Sequence, residues 1–548
     1  MKIIGFNLEK TEYGLSLDNG GACLAIDGEI VMLINEERLT RIQYASGFKK
    51  SIGYLLSSNG LDLSDIDLFV ASSCLEPLAH VEGAQRQLQE SGFHVPQSKI
   101  RVCDHHLSHA FAAYYPSGSN RSLIMVLDGD GNTLSKTMEE GTDNQGRYWL
   151  NRNEHNSYYI GSGDAVELLE RDPVNIGENG FGGAYRYFTY FCGFLGYKHA
   201  GKLMGLSAYG AVRNKYKDIE IFELGPSGTV KCLIPDSDRL NSPRVVEKWL
   251  ASKGIHVRAR APHESITEEI EDVAFLMQRE LNRALIHKVR HLTQKTDIKN
   301  LCVSGGVGLN AVSNRAILDN TDVEHLFVQP AASDSGQCLG NAYFGIASND
   351  SKNVKRKQIF VYQGREYSDG EITDVLKENE KEISFEKVDF SELAKRAATA
   401  LSQGKIIGWF QGRSEMGPRA LGNRSILANP ATADMKDIIN SQVKHRESFR
   451  PFAPSVLAEK ATEWFDVPVP MPYMNINAAV LQPAKIPAVT HVDGSARLQT
   501  VNAAQNPRFH ALNSEFEKIT GIPKSTAHYL IRYAQRQKIK RGNKIVYV

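Results

Sequence analysis

Asn300-Leu-Cys-Val-Ser-Gly-Gly-Val-Gly-Leu-Asn-Ala-Val-Ser-Asn-Arg315 joins a short apolar strand, a glycine-rich turn and the start of a helix. A strand that runs through glycines into a helix is the building unit of an α/β fold. Outward from this stretch, strand signals recur at 2–7, at 67–72 (Asp-Leu-Phe-Val-Ala-Ser) and at 122–127 (Ser-Leu-Ile-Met-Val-Leu). Two further apolar runs within 22–35 flank Asp27-Gly28 and read as a hairpin. Ile266, Ile270, Val273, Met277, Leu281, Leu285, Val289 and Leu292 recur at spacings of three and four, which predicts a helix over 266–292. Ser265 and Glu268 are its expected capping box. Residues 349–358 are polar and aperiodic, so a boundary is expected between domains 1–350 and 357–548.

The chain has 548 residues, more than one hydrophobic core usually supports. Its 64 Lys+Arg offset 63 Asp+Glu, which argues against a nucleic-acid or membrane-surface role. No run approaches the roughly 20 apolar residues of a membrane span, and the N-terminus lacks the order of a signal peptide. Seven cysteines without a Cys-x-x-Cys give no disulfide frame and no thiolate zinc site. A cytoplasmic enzyme is the expectation.

Three groups of residues carry chemistry. In Cys103-Asp-His105-His106-Leu-Ser-His109, His105 and His109 lie four apart, on one face of a helix, where both imidazoles can reach one divalent metal. Asp128 ends an apolar strand and Asp334 enters a glycine-broken turn containing Gly336, so both are candidate partners. In Ser304–Arg315, Gly305, Gly306, Gly308 and Asn310 suit close approach by a nucleotide, and 201–210 (Gly201-Lys202-Leu-Met-Gly205-Leu-Ser-Ala-Tyr-Gly210) reads as a second glycine loop carrying a cation. In 404–455, Arg413, Arg419, Arg424, Lys444, Arg446 and Arg450 are spaced among glycines and hydroxyls, a pattern suited to binding phosphate or carboxylate.

These segments, together with Glu36-Glu-Arg-Leu-Thr-Arg41 and Gly412-Arg-Ser-Glu-Met-Gly-Pro-Arg-Ala-Leu-Gly-Asn-Arg-Ser425, resemble the O-carbamoyltransferases that decorate antibiotics and nodulation factors. The resemblance covers roughly residues 1–523. It implies an actin-like ATPase-fold domain followed by a YrdC-like α/β domain. It also implies that His105, His109, Asp128 and Asp334 bind a divalent metal, iron above all, with zinc or manganese compatible. The second domain would convert carbamoyl phosphate and ATP into carbamoyladenylate, with the six cations holding the anions. The first would pass the carbamoyl group to a hydroxyl of a sugar, antibiotic or other secondary metabolite. The family also admits a homodimer.

Two departures bear on activity. Where the family carries a His-Asp pair, this chain reads Asp18-Asn19-Gly20-Gly21-Ala22. After Pro523 the family's Asn-Thr-Ser-Phe-Asn segment is replaced by a stretch with seven Lys/Arg and no acid, as an altered reading frame would give. A catalytically impaired relative that binds nucleotide without turnover is therefore the competing expectation, with a wall of the activation site lost beyond about residue 524.

Overall fold

The computed structural model describes all residues except 12–13, 75–79, 133–151, 176–177, 237–241, 351–360, 528–545 and 548. It divides into two compact units, Met1–Ile359 and Phe360–Val548. Most of the polar segment expected to part them lies outside the described residues.

In the first unit, β1 (Lys2–Asn7), β2 (Gly21–Ile26) and β3 (Glu29–Asn35) form an antiparallel meander. Asp27 and Gly28 both take positive φ (47° and 80°), which matches the twist of a tight hairpin. β4 (Leu68–Ser72) and β5 (Ile100–Val102) add in parallel on the other side of β1, giving the order β3-β2-β1-β4-β5. A second meander follows in β6 (Arg121–Leu127), β7 (Arg152–Ser162) and β8 (Ala165–Asn175). Beyond a small ribbon of β9 (Phe222–Leu224) and β10 (Val230–Cys232), β11 (Asn300–Ser304) and β12 (His325–Val328) add in parallel to β6. The order β12-β11-β6-β7-β8 repeats the first sheet strand for strand, so the unit is a duplicated α/β architecture.

The helix Gln337–Asp350 packs on β1 and on the helix His105–Ser117. Both approaches depend on glycine: a Cβ on Gly5 would stand 2.2 Å from the Cys338 carbonyl, and one on Gly340 would stand 1.9 Å from that of Ser108. The helix Glu268–Thr296 buries Ile270, Val273, Met277, Leu281, Leu285, Val289 and Leu292 of the expected stripe, while Ile266 lies before its start. Its N-cap is Thr267, not Ser265. Glu264 accepts from the Ala261 amide and pairs with Arg258, which holds the preceding chain in a turn. Glu268, Glu269 and Glu271 then oppose the helix dipole in the first turn.

One expected loop is a helix. Ala200–Ala211 is regular despite its glycines, because Gly210 sits where a Cβ would meet the Glu271 carbonyl at 2.4 Å. Gly210 therefore serves close helix packing, whereas Gly201 faces open space.

The second unit holds β13 (Ile407–Phe410), β14 (Arg424–Ala428), β15 (Ala453–Leu457), the ribbon strands β16 (Asn477–Ala479) and β17 (Ser495–Arg497), then β18 (Gln499–Val501), β19 (Lys524–Ala527) and β20 (Val546–Tyr547). Its sheet order is β18-β15-β19-β14-β13-β20. Residues 524–527, expected to lie where the fold breaks off, form an inner strand paired on both edges. The rest of the basic stretch, apart from β20, lies outside the described residues.

Candidate functional site

The helix His105–Ser117 starts directly after β5, with Asp104 accepting from the Leu107 amide as its cap. Asp128 follows β6, the glycine turn follows β11 and Asp334 follows β12. All sit at carboxyl ends of strands in one sheet, where α/β folds place ligands. The four side chains His105, His109, Asp128 and Asp334 converge, each offering a ligand atom within 4.8 Å of the others. His105 Nε2 lies 3.2 Å from Asp128 Oδ2 and 3.7 Å from Asp334 Oδ1, and His109 Nε2 lies 3.0 and 3.4 Å from the same oxygens. Ligands around one tetrahedral ion of zinc size stand about 3.4 Å apart, so these separations fit a divalent cation.

The electrostatics agree. Burial opposes ionisation of Asp128, but the two imidazoles outweigh it and hold its carboxyl well below the usual range. Burial would lower His109, yet the carboxylates of Asp128 and Asp334 push it up to about 9. A centre that draws a proton in this way also draws a metal ion. His109 Nε2 is buried and faces these two carboxylates. Its Nδ1 lies 3.0 Å from Ser304 Oγ, which donates to the Ala332 carbonyl at 3.4 Å and is free to accept the Nδ1 proton. That arrangement leaves the Nε2 lone pair for a metal.

His106 points away, with Nδ1 2.7 Å from Ser157 Oγ. Behind it, Glu154 accepts from Ser157 and pairs with Arg171 at 2.5 Å. Burial, with the like charge of Asp104, raises Glu154 to about 7.

The glycine turn is built for close approach. Gly305 has φ +87°, and a Cβ there would lie 2.2 Å from the Leu127 carbonyl. The Gly306 amide donates to Asp128 Oδ1 at 3.2 Å, tying the turn to the candidate metal-ligand set. A Cβ on Gly308 would crowd Val303 at 3.1 Å. The Asn310 carboxamide caps the next helix through the Ser313 amide and donates to Gln278, so it is used in scaffolding. Gly336 closes the Asp334 turn where a Cβ would meet the Ala331 carbonyl at 2.3 Å. Lys202 lies on the helix Ala200–Ala211 with its ammonium over the Phe194 ring.

Two buried asparagines that carried no motif position this centre. Asn7 donates to the carbonyls of Asn19 and Asp334, both at 2.8 Å, and Asn35 donates to that of Ser335.

In the second unit, Glu415 Oε1 accepts from the amides of Leu421, Asn423 and Arg424 and so shapes the glycine–arginine loop. Arg424 is part of this scaffold. It is buried, stacks 3.5 Å from the Phe410 ring centre, and donates to the carbonyls of Gln411, Gly412 and Asn423. These three bonds to main-chain carbonyls give it a scaffolding part in the loop. Arg419, Arg446 and Arg450 all lie close enough to Arg497 of β17, which sequence reading missed, to act on its charge. Burial, then the like charges of Arg419, Arg446 and Arg450, work against the charge on Arg497. Burial and Arg450 lower Arg446 to about 9. Arg446 is fixed by donating to Asn440 Oδ1 at 2.6 Å and by packing on Phe452. Crowded guanidiniums with depressed basicity favour a bound anion. Arg413 lies on the loop after β13, and Lys444 ends the helical turn Ile439–Lys444.

Comparison with known proteins identifies the family. Family models described as Carbamoyltransferase N-terminus and Carbamoyltransferase C-terminus match residues 88–343 and 398–525. Nodulation protein NolNO of Sinorhizobium fredii is 35% identical over 537 residues, spanning 92% of this chain and 73% of that protein. Nodulation protein NolO of Bradyrhizobium diazoefficiens is 34% identical over 430 residues, 77% of this chain and 71% of that one. Among solved structures, HypF of T. kodakarensis shares 14% identity with a TM-score of 0.32, over 65% of this chain and 48% of that one. On the strength of the two family models and the nodulation relatives, the chain belongs to the carbamoyltransferase family.

Proposed function

We propose that the second unit, as a YrdC-like domain, forms carbamoyladenylate from carbamoyl phosphate, ATP and water, with release of phosphate and pyrophosphate. The first unit, with an actin-like ATPase fold, then transfers the carbamoyl group to a hydroxyl of a small molecule such as a sugar or an antibiotic. Arg419, Arg446, Arg450 and Arg497 bind the anionic groups, and Arg413 and Lys444 add charge from the same loops. Glu415 and Arg424 keep the loop in shape. In the first unit, Gly305 and Gly306 let the adenylate approach the main chain. The acceptor oxygen bonds to the carbamoyl carbon as that carbon's bond to AMP breaks. A divalent cation on His105, His109, Asp128 and Asp334, whether iron, zinc or manganese, would supply Lewis-acid polarisation.

The observation that carries this reading is the convergence of the four metal-ligand side chains beside the glycine turn. The test is pyrophosphate release from ATP with and without carbamoyl phosphate, in the absence of any acceptor. Release that depends on carbamoyl phosphate is expected. His105→Ala should keep that release and abolish carbamoyl transfer, whereas Arg419→Ala should abolish both. Loss of pyrophosphate release in His105→Ala would sink the division of labour. No release from folded, metal-loaded wild type would favour the binding-only relative.

A further inference from the structure

The two histidines of the centre are not equivalent, and the difference traces to Gln337. This residue opens the helix Gln337–Asp350, is 2% exposed, and faces the side of His105 away from the carboxylates. Its amide nitrogen donates to the His105 carbonyl at 3.1 Å and lies 3.3 Å from His105 Nδ1. Its amide oxygen accepts from Ser72 Oγ at 3.0 Å. Ser72 Oγ in turn accepts from Asn341 Nδ2, which also donates to the Phe6 carbonyl.

Main-chain carbonyls stand at both ends of this chain, and a carbonyl can only accept. The His105 and Phe6 carbonyls therefore fix which way each amide points. With Asn341 donating to Ser72, the Ser72 proton must go to Gln337 Oε1, and Gln337 Nε2 is left facing His105 Nδ1. Nδ1 is thus offered a donor. A neutral imidazole that binds a metal through Nε2 keeps its proton on Nδ1 and needs an acceptor there. Ser304 provides one for His109. Gln337 presents His105 with the opposite polarity.

We infer that Gln337 is a positioning residue that holds His105 in the tautomer opposed to metal ligation, making His105 the labile ligand of the centre. Metal binding then requires the Gln337 amide to turn, at the expense of its bonds to the His105 carbonyl and Ser72. The inference rests on the metal reading of the four-residue cluster, and its test separates the two.

The full-length protein is stripped with a chelator and titrated with Co2+ against a competing indicator. Gln337→Glu places an acceptor at Nδ1 and should tighten Co2+ at least about tenfold, at the lower end of what outer-sphere partners change. A glutamate variant with wild-type melting behaviour and unchanged or weaker Co2+ binding would overturn the proposal and leave the metal site standing. If that variant does not fold, Gln337→Met decides. Deleting the opposing N–H should leave affinity equal or higher, whereas a tenfold loss would make Gln337 an ordinary support and overturn the inference. Absence of Co2+ uptake by wild type, matched by His109→Ala, would remove the metal reading and this proposal together.

Discussion

Replacing Arg424 with Met should destabilise the second unit strongly rather than only weaken anion binding. Arg424 is 3% exposed and donates to three main-chain carbonyls at 2.6, 2.9 and 3.0 Å, while its guanidinium covers Phe410. Methionine keeps much of the contact with the ring but supplies no donor. Hydrogen bonds from a charged donor contribute roughly 1.5–3 kcal/mol each, and a buried acceptor left bare costs about 1–3 kcal/mol. With some rescue by water, the loss is about 3–5 kcal/mol, a large share of the roughly 5–15 kcal/mol that keeps a domain folded. Urea denaturation followed by tryptophan fluorescence suits the question, because Trp409 is fully buried on the strand paired with β14. Arg419→Met is the internal control. Its neighbours include other arginines, so its removal should change stability by less than about 1 kcal/mol. A stable Arg424→Met variant that nonetheless loses pyrophosphate release would refute the argument and return Arg424 to the anion-binding set.

Inorganic phosphate should raise the unfolding midpoint by occupying the arginine cluster, by about 2.7 kcal/mol at a hundredfold excess over its dissociation constant; the gain should vanish in Arg446→Ala and in Arg497→Ala, and a gain unchanged in both would place the anion elsewhere. Glu154 offers a pH test. Its folded value of about 7 lies above the ordinary carboxylate range, so the folded state binds the extra proton. Its contribution is therefore present at low pH and lost as pH rises from about 4.5 through 7. Glu154→Gln, which cannot ionise, should lose less stability than wild type between pH 5 and 8, and parallel pH profiles would contradict this.

Much of the fold could be read directly, because strand alternation, the Asp27-Gly28 turn and the stripe of the 266–292 helix are local signals. His105 and His109 were legible for the same reason, since four-residue spacing fixes a helix face. Their meeting with Asp128 and Asp334 was not, because it depends on where strands of two separate sheets end. The glycines of 201–210 misled: glycine reads as a loop breaker, yet the segment is helical and Gly210 clears room for the helix Glu268–Thr296, which no local pattern reveals. The arginines of 404–455 read alike in sequence, but the folded loop turns Arg424 toward main-chain carbonyls and brings in Arg497 from 70 or so residues beyond it. Asn7, Asn35 and Gln337 carried no signal, since a buried amide is recognised only by the carbonyls it meets.

The place of β19 has a consequence for assembly. β14 and β15 are joined in the sheet by this strand, which lies about a hundred residues beyond β14. The middle of the sheet therefore closes through contacts of high sequence separation, and the entropy of that closure falls before the contacts can reward it. The arginine loop leads directly into β14. Folding of the second unit should accordingly be slow and late, with the anion-binding cluster formed only when the inner strand has docked.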